Sequence, residues 1–69
     1  MNNTAAFLEQ RPLLLSIAYR MLGSFAEAED IVQESFIYWA SRREPEISSV
    51  RAFLTTNVIR RCLGRLKSA

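Results

Sequence analysis

The fold of this chain is decided by residues 23–41, which read GSFAEAEDIVQESFIYWAS. Ser24 and Glu27 match the capping box, in which a serine hydroxyl and a glutamate carboxylate satisfy free N–H groups at the start of a helix. Gly23, just before them, is typical of the residue that ends a preceding helix. The stretch therefore predicts a tight turn between two helices, the second of which covers residues 25–41.

Helix signals continue on both sides of this turn. Towards the N-terminus, Thr4 can cap a helix of about residues 4–22, and Pro12 either opens a helix or kinks a longer one. Towards the C-terminus, Pro45 disfavours helix at the residue before it, and Ser48 or Ser49 can cap a third helix of about residues 49–67. No segment alternates polar and apolar residues as a strand does. The sequence predicts an all-α fold, a small helical bundle of three main helices with the first continuous or split at Pro12, in a single domain of residues 1–69.

Composition narrows the class of function. The chain has 69 residues, too few for a large enclosed active site, and 49% of them are apolar, too many for a disordered segment. Histidine is missing, and with it the commonest general base and the commonest metal ligand. Cys62 is the only cysteine, which fits a reducing cytoplasm, and no apolar run is long enough to span a membrane. We therefore expect a cytoplasmic, non-enzymatic protein without metal or cofactor.

The charges are unevenly distributed along the chain. Residues 1–41 carry two basic and five acidic side chains, a net charge of −3, whereas residues 42–69 carry seven basic and two acidic ones, a net charge of +5. This asymmetry favours two partners of different character, with a polyanion for the C-terminal part. Chance variation of charge in a short domain is the alternative interpretation.

The second predicted helix has an apolar face and an acidic face. The apolar face, which we expect to lie in the core, consists of Phe25, Ala28, Val32, Phe36 and Trp39. On the opposite side, Ile37 projects from among acidic and amide side chains, which are Asp30, Gln33 and Glu34. An apolar residue ringed by polar ones is typical of a protein-binding patch. A solvated face with one stray isoleucine is the alternative.

The third predicted helix repeats this division with basic residues. Its apolar face consists of Leu54, Val58, Ile59, Cys62, Leu63 and Leu66. Its other face displays Phe53, Thr56, Asn57, Arg60, Arg61 and Lys67. Basic and small polar side chains suit contacts to phosphate, so we expect this face to bind nucleic acid rather than only to keep the protein in solution. We expect Phe53 to pack against the preceding loop rather than to stack on a base.

Two stretches of the chain resemble region 2 of the extracytoplasmic-function (ECF) sigma factors of bacterial RNA polymerase. They are AYRMLGSFAEAEDIVQESFIYW, residues 18–39, and RAFLTTNVIRRCLGRLKSA, residues 51–69. The most specific part is AEDIVQE, residues 28–34. The resemblance implies a helical domain of the sigma-70 family that takes part in transcription initiation. It does not extend to region 4, the second helical domain of the family, so we expect an excised domain or shortened product that does not direct specific initiation alone.

The resemblance also assigns a partner to each surface. The acidic helix would dock on the clamp helices of the polymerase β′ subunit, through Asp30, Gln33, Glu34 and Ile37. The loop and last helix would bind and melt the promoter −10 element and hold flipped bases of its non-template strand. The residues implied are Arg42, Arg43, Ser48, Ser49, Arg51, Thr55, Thr56, Asn57, Arg60 and Arg61. An anti-sigma factor is a further partner that the resemblance allows.

The last helix departs from the family pattern at several positions. Phe53 stands where the family usually has tryptophan, Asn57 and Arg61 stand at positions that are more often apolar, and Gly64 replaces a usual aspartate. These departures bear on DNA binding. They leave open an alternative, a helical protein-interaction module that retains the docking face but does not bind DNA.

Overall fold

The computed structural model describes residues 4–42 and 47–68, which contain three α-helices and no strand. Helix α1 spans Thr4–Leu22, α2 spans Phe25–Ser41 and α3 spans Val50–Lys67. The predicted all-α bundle of three main helices is confirmed. Arg43, one of the predicted DNA-binding residues, lies outside the described residues.

Helix α1 continues through Pro12, so the first helix is not split. Proline in a helix interior lacks the N–H that would bond to the carbonyl four residues earlier, which costs about 3 kcal/mol. Buried side chains hold the helix on both sides of the proline, with Phe7 before it and Leu14 and Ala18 after it. Packing of the apolar face therefore outweighs the tendency of proline to interrupt the helix.

The end of α1 and the starts of α2 and α3 follow the predicted capping signals. Gly23 has a φ of +73°, in the left-handed region that favours glycine, and its N–H donates to the Tyr19 carbonyl at 2.8 Å. Ser24 caps α2, since its hydroxyl oxygen accepts from the Glu27 N–H at 3.2 Å. At α3 the cap is Ser49 rather than Ser48. With only two residues between them, α1 and α2 lie side by side and antiparallel.

Side chains from all three helices form one core. Its buried apolar members are Phe7, Leu14, Ala18, Ala28, Ile31, Val32, Trp39, Leu54, Val58 and Cys62. Helix α1 packs extensively against both other helices, whereas α2 and α3 meet over a smaller area. The Phe7 and Phe36 rings meet edge to face, with centroids 5.1 Å apart. The first helix is therefore the central one of the bundle.

Three side chains that were predicted to lie in the core are exposed instead. Phe25 is 53% exposed at the first position of α2, and Leu63 and Leu66 are 50% and 48% exposed near the end of α3. A helix in a three-helix bundle is covered on two sides only, so α3 buries a narrow stripe at every fourth position. Conversely, α2 also buries Ile31 and Ser35, on the flank that faces α3.

The helices of the described ranges offer neither a membrane span nor a metal-binding cluster. None of the three is long and apolar enough to cross a bilayer. Within residues 4–42 and 47–68, no three histidine, cysteine, aspartate or glutamate side chains cluster closely enough to hold a metal ion.

Candidate functional site

The predicted docking residues of α2 all lie on the outside of the bundle. This acidic surface consists of Asp30, Gln33, Glu34 and Ile37, each of which is exposed. Ile37 is 59% exposed, more than any other large apolar side chain of the described residues. Asp30, Gln33 and Ile37 follow one another at spacings of three and four residues, so they form a continuous patch along the helix. The predicted exposure of Ile37 is confirmed.

A groove lies between the end of α2, residues 47–49 and the first half of α3. Its volume is about 550 Å³, within the range of roughly 300–1,000 Å³ that is common for ligand sites. The residues that line this α2–α3 groove are Tyr38, Ile47, Ser48, Ser49, Ala52, Phe53, Thr56, Asn57 and Arg60. The groove thus brings together five of the predicted DNA-binding residues, namely Ser48, Ser49, Thr56, Asn57 and Arg60.

Aromatic rings form one wall of the groove. Tyr38 and Phe53 lie nearly parallel, with an interplanar angle of 17° and centroids 6.2 Å apart. The ring of Trp39 lies 5.9 Å from that of Phe53. Phe53 is half-buried, and its ring contacts are with these α2 side chains. Its predicted packing against the preceding loop stays a prediction, since residues 43–46 of that loop lie outside the described residues. Tyr38 was not among the predicted site residues, although its position on α2 is one turn after Glu34.

Arg42 contacts two of these aromatic rings but is not among the lining residues. Its guanidinium carbon is 4.4 Å from the centroid of the Trp39 ring and 5.4 Å from that of Phe53. Cations at this distance from aromatic faces are attracted by the ring quadrupole. Its backbone N–H also donates to the Tyr38 carbonyl at the end of α2. Arg42 therefore supports the aromatic wall, and a direct contact to DNA stays a prediction.

Arg51 and Thr55 do not line the groove either. Arg51 is exposed in the first turn of α3, and Thr55 is half-buried one turn later. Their predicted role in DNA binding thus concerns a different part of the α3 surface from the groove.

A polar network joins α2 to α3 beside the groove. The buried Ser35 hydroxyl donates to Asn57 Oδ1 at 2.9 Å, and Arg61 Nε donates to the same oxygen at 2.9 Å. Arg61 also lies with its guanidinium carbon 5.7 Å from the centroid of the Tyr38 ring. Asn57 and Arg61 are thus bonded to each other and to α2.

Glu34 extends this network to the acidic surface. Its carboxylate pairs with Arg61 Nη1 at 3.5 Å and with Arg65 Nη2 at 3.1 Å, and the three side chains are 46%, 31% and 33% exposed. Exposed pairs of this kind contribute about 0.2–1 kcal/mol each. Arg61, which was predicted to face DNA, therefore turns towards α2, and Glu34 belongs to the acidic surface and to this network at once.

Two lining side chains remain available for a ligand. Arg60 and Thr56 are both exposed, and neither forms a hydrogen bond or ion pair with another of the described residues. A guanidinium and a hydroxyl side by side can bind a phosphate or a base edge. The groove therefore combines an apolar aromatic wall with free hydrogen-bond donors.

The single thiol of the chain takes no part in these surfaces. Cys62 is fully buried in the core, and this burial raises the pKa of its thiol, against a smaller lowering by the nearby Arg65 charge. A thiol with a raised pKa is mostly protonated at neutral pH and is a poor nucleophile.

Comparisons with known proteins agree with the helical architecture. Residues 7–69 match the family model described as sigma-70 region 2. The chain is 49% identical over 59 residues to the ECF RNA polymerase sigma factor SigJ of Mycobacterium tuberculosis, covering 86% of this chain and 19% of that protein. It is 36% identical over 66 residues to the probable ECF RNA polymerase sigma factor SigI of the same species, covering 96% of this chain and 23% of that protein.

The matched part is short relative to these proteins. The chain spans about a fifth of the length of the curated relatives that it matches. No solved structure matches the chain significantly. The family model nevertheless covers nearly all of the chain, and both relatives are named as ECF RNA polymerase sigma factors. The three-helix bundle, the AEDIVQE core and these matches together show that the chain belongs to the sigma-70 region 2 family, as a region 2 domain of the ECF type.

Proposed function

We propose that this chain is a transcription-initiation module that binds core RNA polymerase through its acidic surface and the promoter −10 element through the α2–α3 groove. Family membership and the names of the relatives, both RNA polymerase sigma factors, support this proposal. The observation that carries it is the presence of two outward surfaces of opposite character on one small bundle. Such a module acts in the cytoplasm, where the polymerase and its template lie.

The polymerase contact rests on the geometry of Ile37. An exposed apolar side chain beside Asp30 and Gln33 resembles an interface anchor with a polar rim. We propose the clamp helices of the β′ subunit as the partner, because a helix face with this pattern fits between the ridges of another helical surface. The carboxylates would then steer the encounter with a basic partner surface.

The DNA contact rests on the contents of the groove. A base that has left the duplex needs an apolar surface to stack on, which Tyr38 and Phe53 supply, and hydrogen-bond donors to hold its edge. Arg60, exposed at the groove, supplies a positive charge for the phosphate of the same strand. We propose that the groove holds unpaired bases of the non-template strand of the −10 element.

One observation favours a second candidate function. Arg61 and Arg65 pair with Glu34, so two of the basic side chains of α3 are partly neutralised within the domain. This pairing would weaken binding to a polyanion. The second candidate is a helical protein-interaction module that uses the acidic surface alone.

The polymerase contact is tested with a purified β′ clamp-helix fragment. We expect Ile37→Ala to weaken the association by about tenfold, as loss of an interface anchor does, without changing the melting temperature. Asp30→Asn should weaken it less, mainly through the association rate. Glu9→Gln removes the same charge from an exposed position on α1 and should have no effect. Unchanged binding by Ile37→Ala would refute the proposed contact.

The DNA contact is tested with a fluorescent single-stranded oligonucleotide of the −10 type at several salt concentrations. Arg60→Ala should lower the slope of log affinity against log salt by about 0.7, the value for one phosphate contact on a single strand. Arg20→Ala removes one charge from an exposed position on α1 and is the matched control. If no oligonucleotide binds while the clamp-helix fragment does, the protein-interaction module is the correct function.

A further inference from the structure

The carboxamide of Asn57 is fixed in one orientation. Its oxygen accepts from the Ser35 hydroxyl and from Arg61 Nε, both at 2.9 Å. The guanidinium group can only donate, so the atom that faces it has to be the oxygen and not the nitrogen of the side-chain amide. A carbonyl oxygen accepts two such bonds in its plane, so the acceptor capacity of Asn57 is used within the domain.

The amide nitrogen of Asn57 remains for a ligand. Asn57 lines the α2–α3 groove, and none of the described residues accepts a hydrogen bond from this nitrogen. Its neighbours in the groove, Arg60 and Thr56, also offer donors. A ligand in the groove can therefore only accept hydrogen bonds from Asn57 and cannot donate to it.

This arrangement changes which base Asn57 can recognise. Asparagine ordinarily reads adenine through two bonds, in which its oxygen accepts from the adenine amino group and its nitrogen donates to a ring nitrogen. With the oxygen occupied, the adenine amino group has no acceptor on Asn57. Adenine can still accept one bond from the amide nitrogen at a ring nitrogen, but the amino group beside that nitrogen is left unpaired against Asn57. The keto oxygen of thymine or guanine accepts from the same amide N–H groups and has no amino group in that place.

We propose that Asn57 is the base-reading residue of the groove, held by Ser35 and Arg61 so that it favours a keto-bearing base over adenine. This inference rests on the proposed function, since it concerns the bases that the groove would hold. Ser35 is fully buried and cannot reach a ligand, so it acts as a positioning residue. Arg61 is a second positioning residue, because its guanidinium is engaged with Asn57, Glu34 and the Tyr38 ring.

The test compares oligothymidylate and oligoadenylate of about twelve nucleotides, a length within the usual site size. The measured quantity is the ratio of their dissociation constants, adenylate over thymidylate, for each variant. Adenine strands stack on themselves, but this affects every variant equally and cancels when ratios are compared. We expect Asn57→Val to lower the ratio by about two- to tenfold, the contribution of one hydrogen bond, through weaker thymidylate binding.

The positioning residues give a different signature. Ser35→Ala and Arg61→Leu each free one lone pair of the Asn57 oxygen, so adenylate binding should improve relative to thymidylate and the ratio should fall. Thermal melting checks that each variant folds, and the conservative Ser35→Ala keeps the test valid if Asn57→Val does not fold. Arg20→Ala should leave the ratio unchanged.

Two results would overturn the proposal. If Arg61→Leu weakens thymidylate and adenylate binding by the same factor, Arg61 is a phosphate contact and not a positioning residue. If the ratio is the same in the wild type, Asn57→Val and Ser35→Ala, the groove does not read bases through Asn57, although the domain still binds single strands. If the wild type binds neither oligonucleotide, the proposed DNA contact fails and this inference fails with it.

Discussion

Replacing Gly64 by alanine should stabilise the domain. Gly64 lies inside α3, is exposed, and has no heavy atom within 4 Å of the position that an added Cβ would take. Its φ is not in the left-handed region, so alanine adopts the same backbone without strain. Glycine in a helix interior costs about 0.8–1.0 kcal/mol relative to alanine, chiefly through the entropy of the unfolded chain.

The position of Gly64 near the end of α3 lowers the expected gain. Its carbonyl accepts from the Ser68 N–H at 3.2 Å, in the last turn of the helix, where fraying is common. We therefore expect an increase in the free energy of unfolding of about 0.5–1 kcal/mol. In a domain of this size that corresponds to a rise in melting temperature of roughly 2–8 °C. Circular dichroism at increasing temperature or urea concentration measures both quantities.

Gly23 provides the matched control for this prediction. A Cβ there would also meet nothing within 4 Å, but its φ is +73°. Alanine in the left-handed region costs about 1–2 kcal/mol, so Gly23→Ala should lower the melting temperature while Gly64→Ala raises it. Since an added Cβ meets no neighbouring atom at either glycine, the difference between the two variants reports the effect of backbone conformation alone. Equal shifts of the same sign, or a lower melting temperature for Gly64→Ala, would refute the reasoning.

Two further predictions concern charged and titratable groups. Glu34→Gln removes two half-exposed ion pairs and should therefore lower the free energy of unfolding by about 0.5–1 kcal/mol at low salt. The loss should be smaller at high salt, and a loss that does not depend on salt would contradict this prediction. Because burial raises the pKa of the Cys62 thiol, the folded state holds this proton more tightly than the unfolded chain does. Stability should therefore fall as the pH rises past about 8.5, the ordinary thiol pKa, and Cys62→Ala should lose this part of the pH dependence in melting experiments.

The helices and their ends could be predicted from the sequence because their signals are local. Gly23 and Ser24 fix the first turn, and a serine fixes the start of α3, through bonds to residues at most four positions away. The exposure of Ile37 followed from helical periodicity in the same way. These features depend on residues that are close in sequence, so one sequence suffices to find them.

The pairing between helices could not be predicted in this way. Whether Arg61 faces DNA or α2 depends on the rotation and register of α3 against α2, which periodicity alone does not give. The adjacent residues Cys62 and Leu63 are buried and exposed respectively, so a small error in the rotation of α3 exchanges a core residue for a surface residue. The same uncertainty concealed the bond of Asn57 to Ser35, which is 22 residues away on α2.

The carboxylate of Glu34, which belongs to the acidic surface and pairs with two arginines of α3, would link the two proposed binding events thermodynamically. A partner that occupied Glu34 would withdraw it from Arg61 and Arg65 and leave more positive potential along α3 for a nucleic acid. By the reciprocity of coupled equilibria, a strand bound to α3 would then raise the affinity for that partner by the same factor. We expect this cooperativity to vanish in Glu34→Gln, and titration of the clamp-helix fragment with and without oligonucleotide would measure it. An equal factor in the variant would show that the two sites act independently.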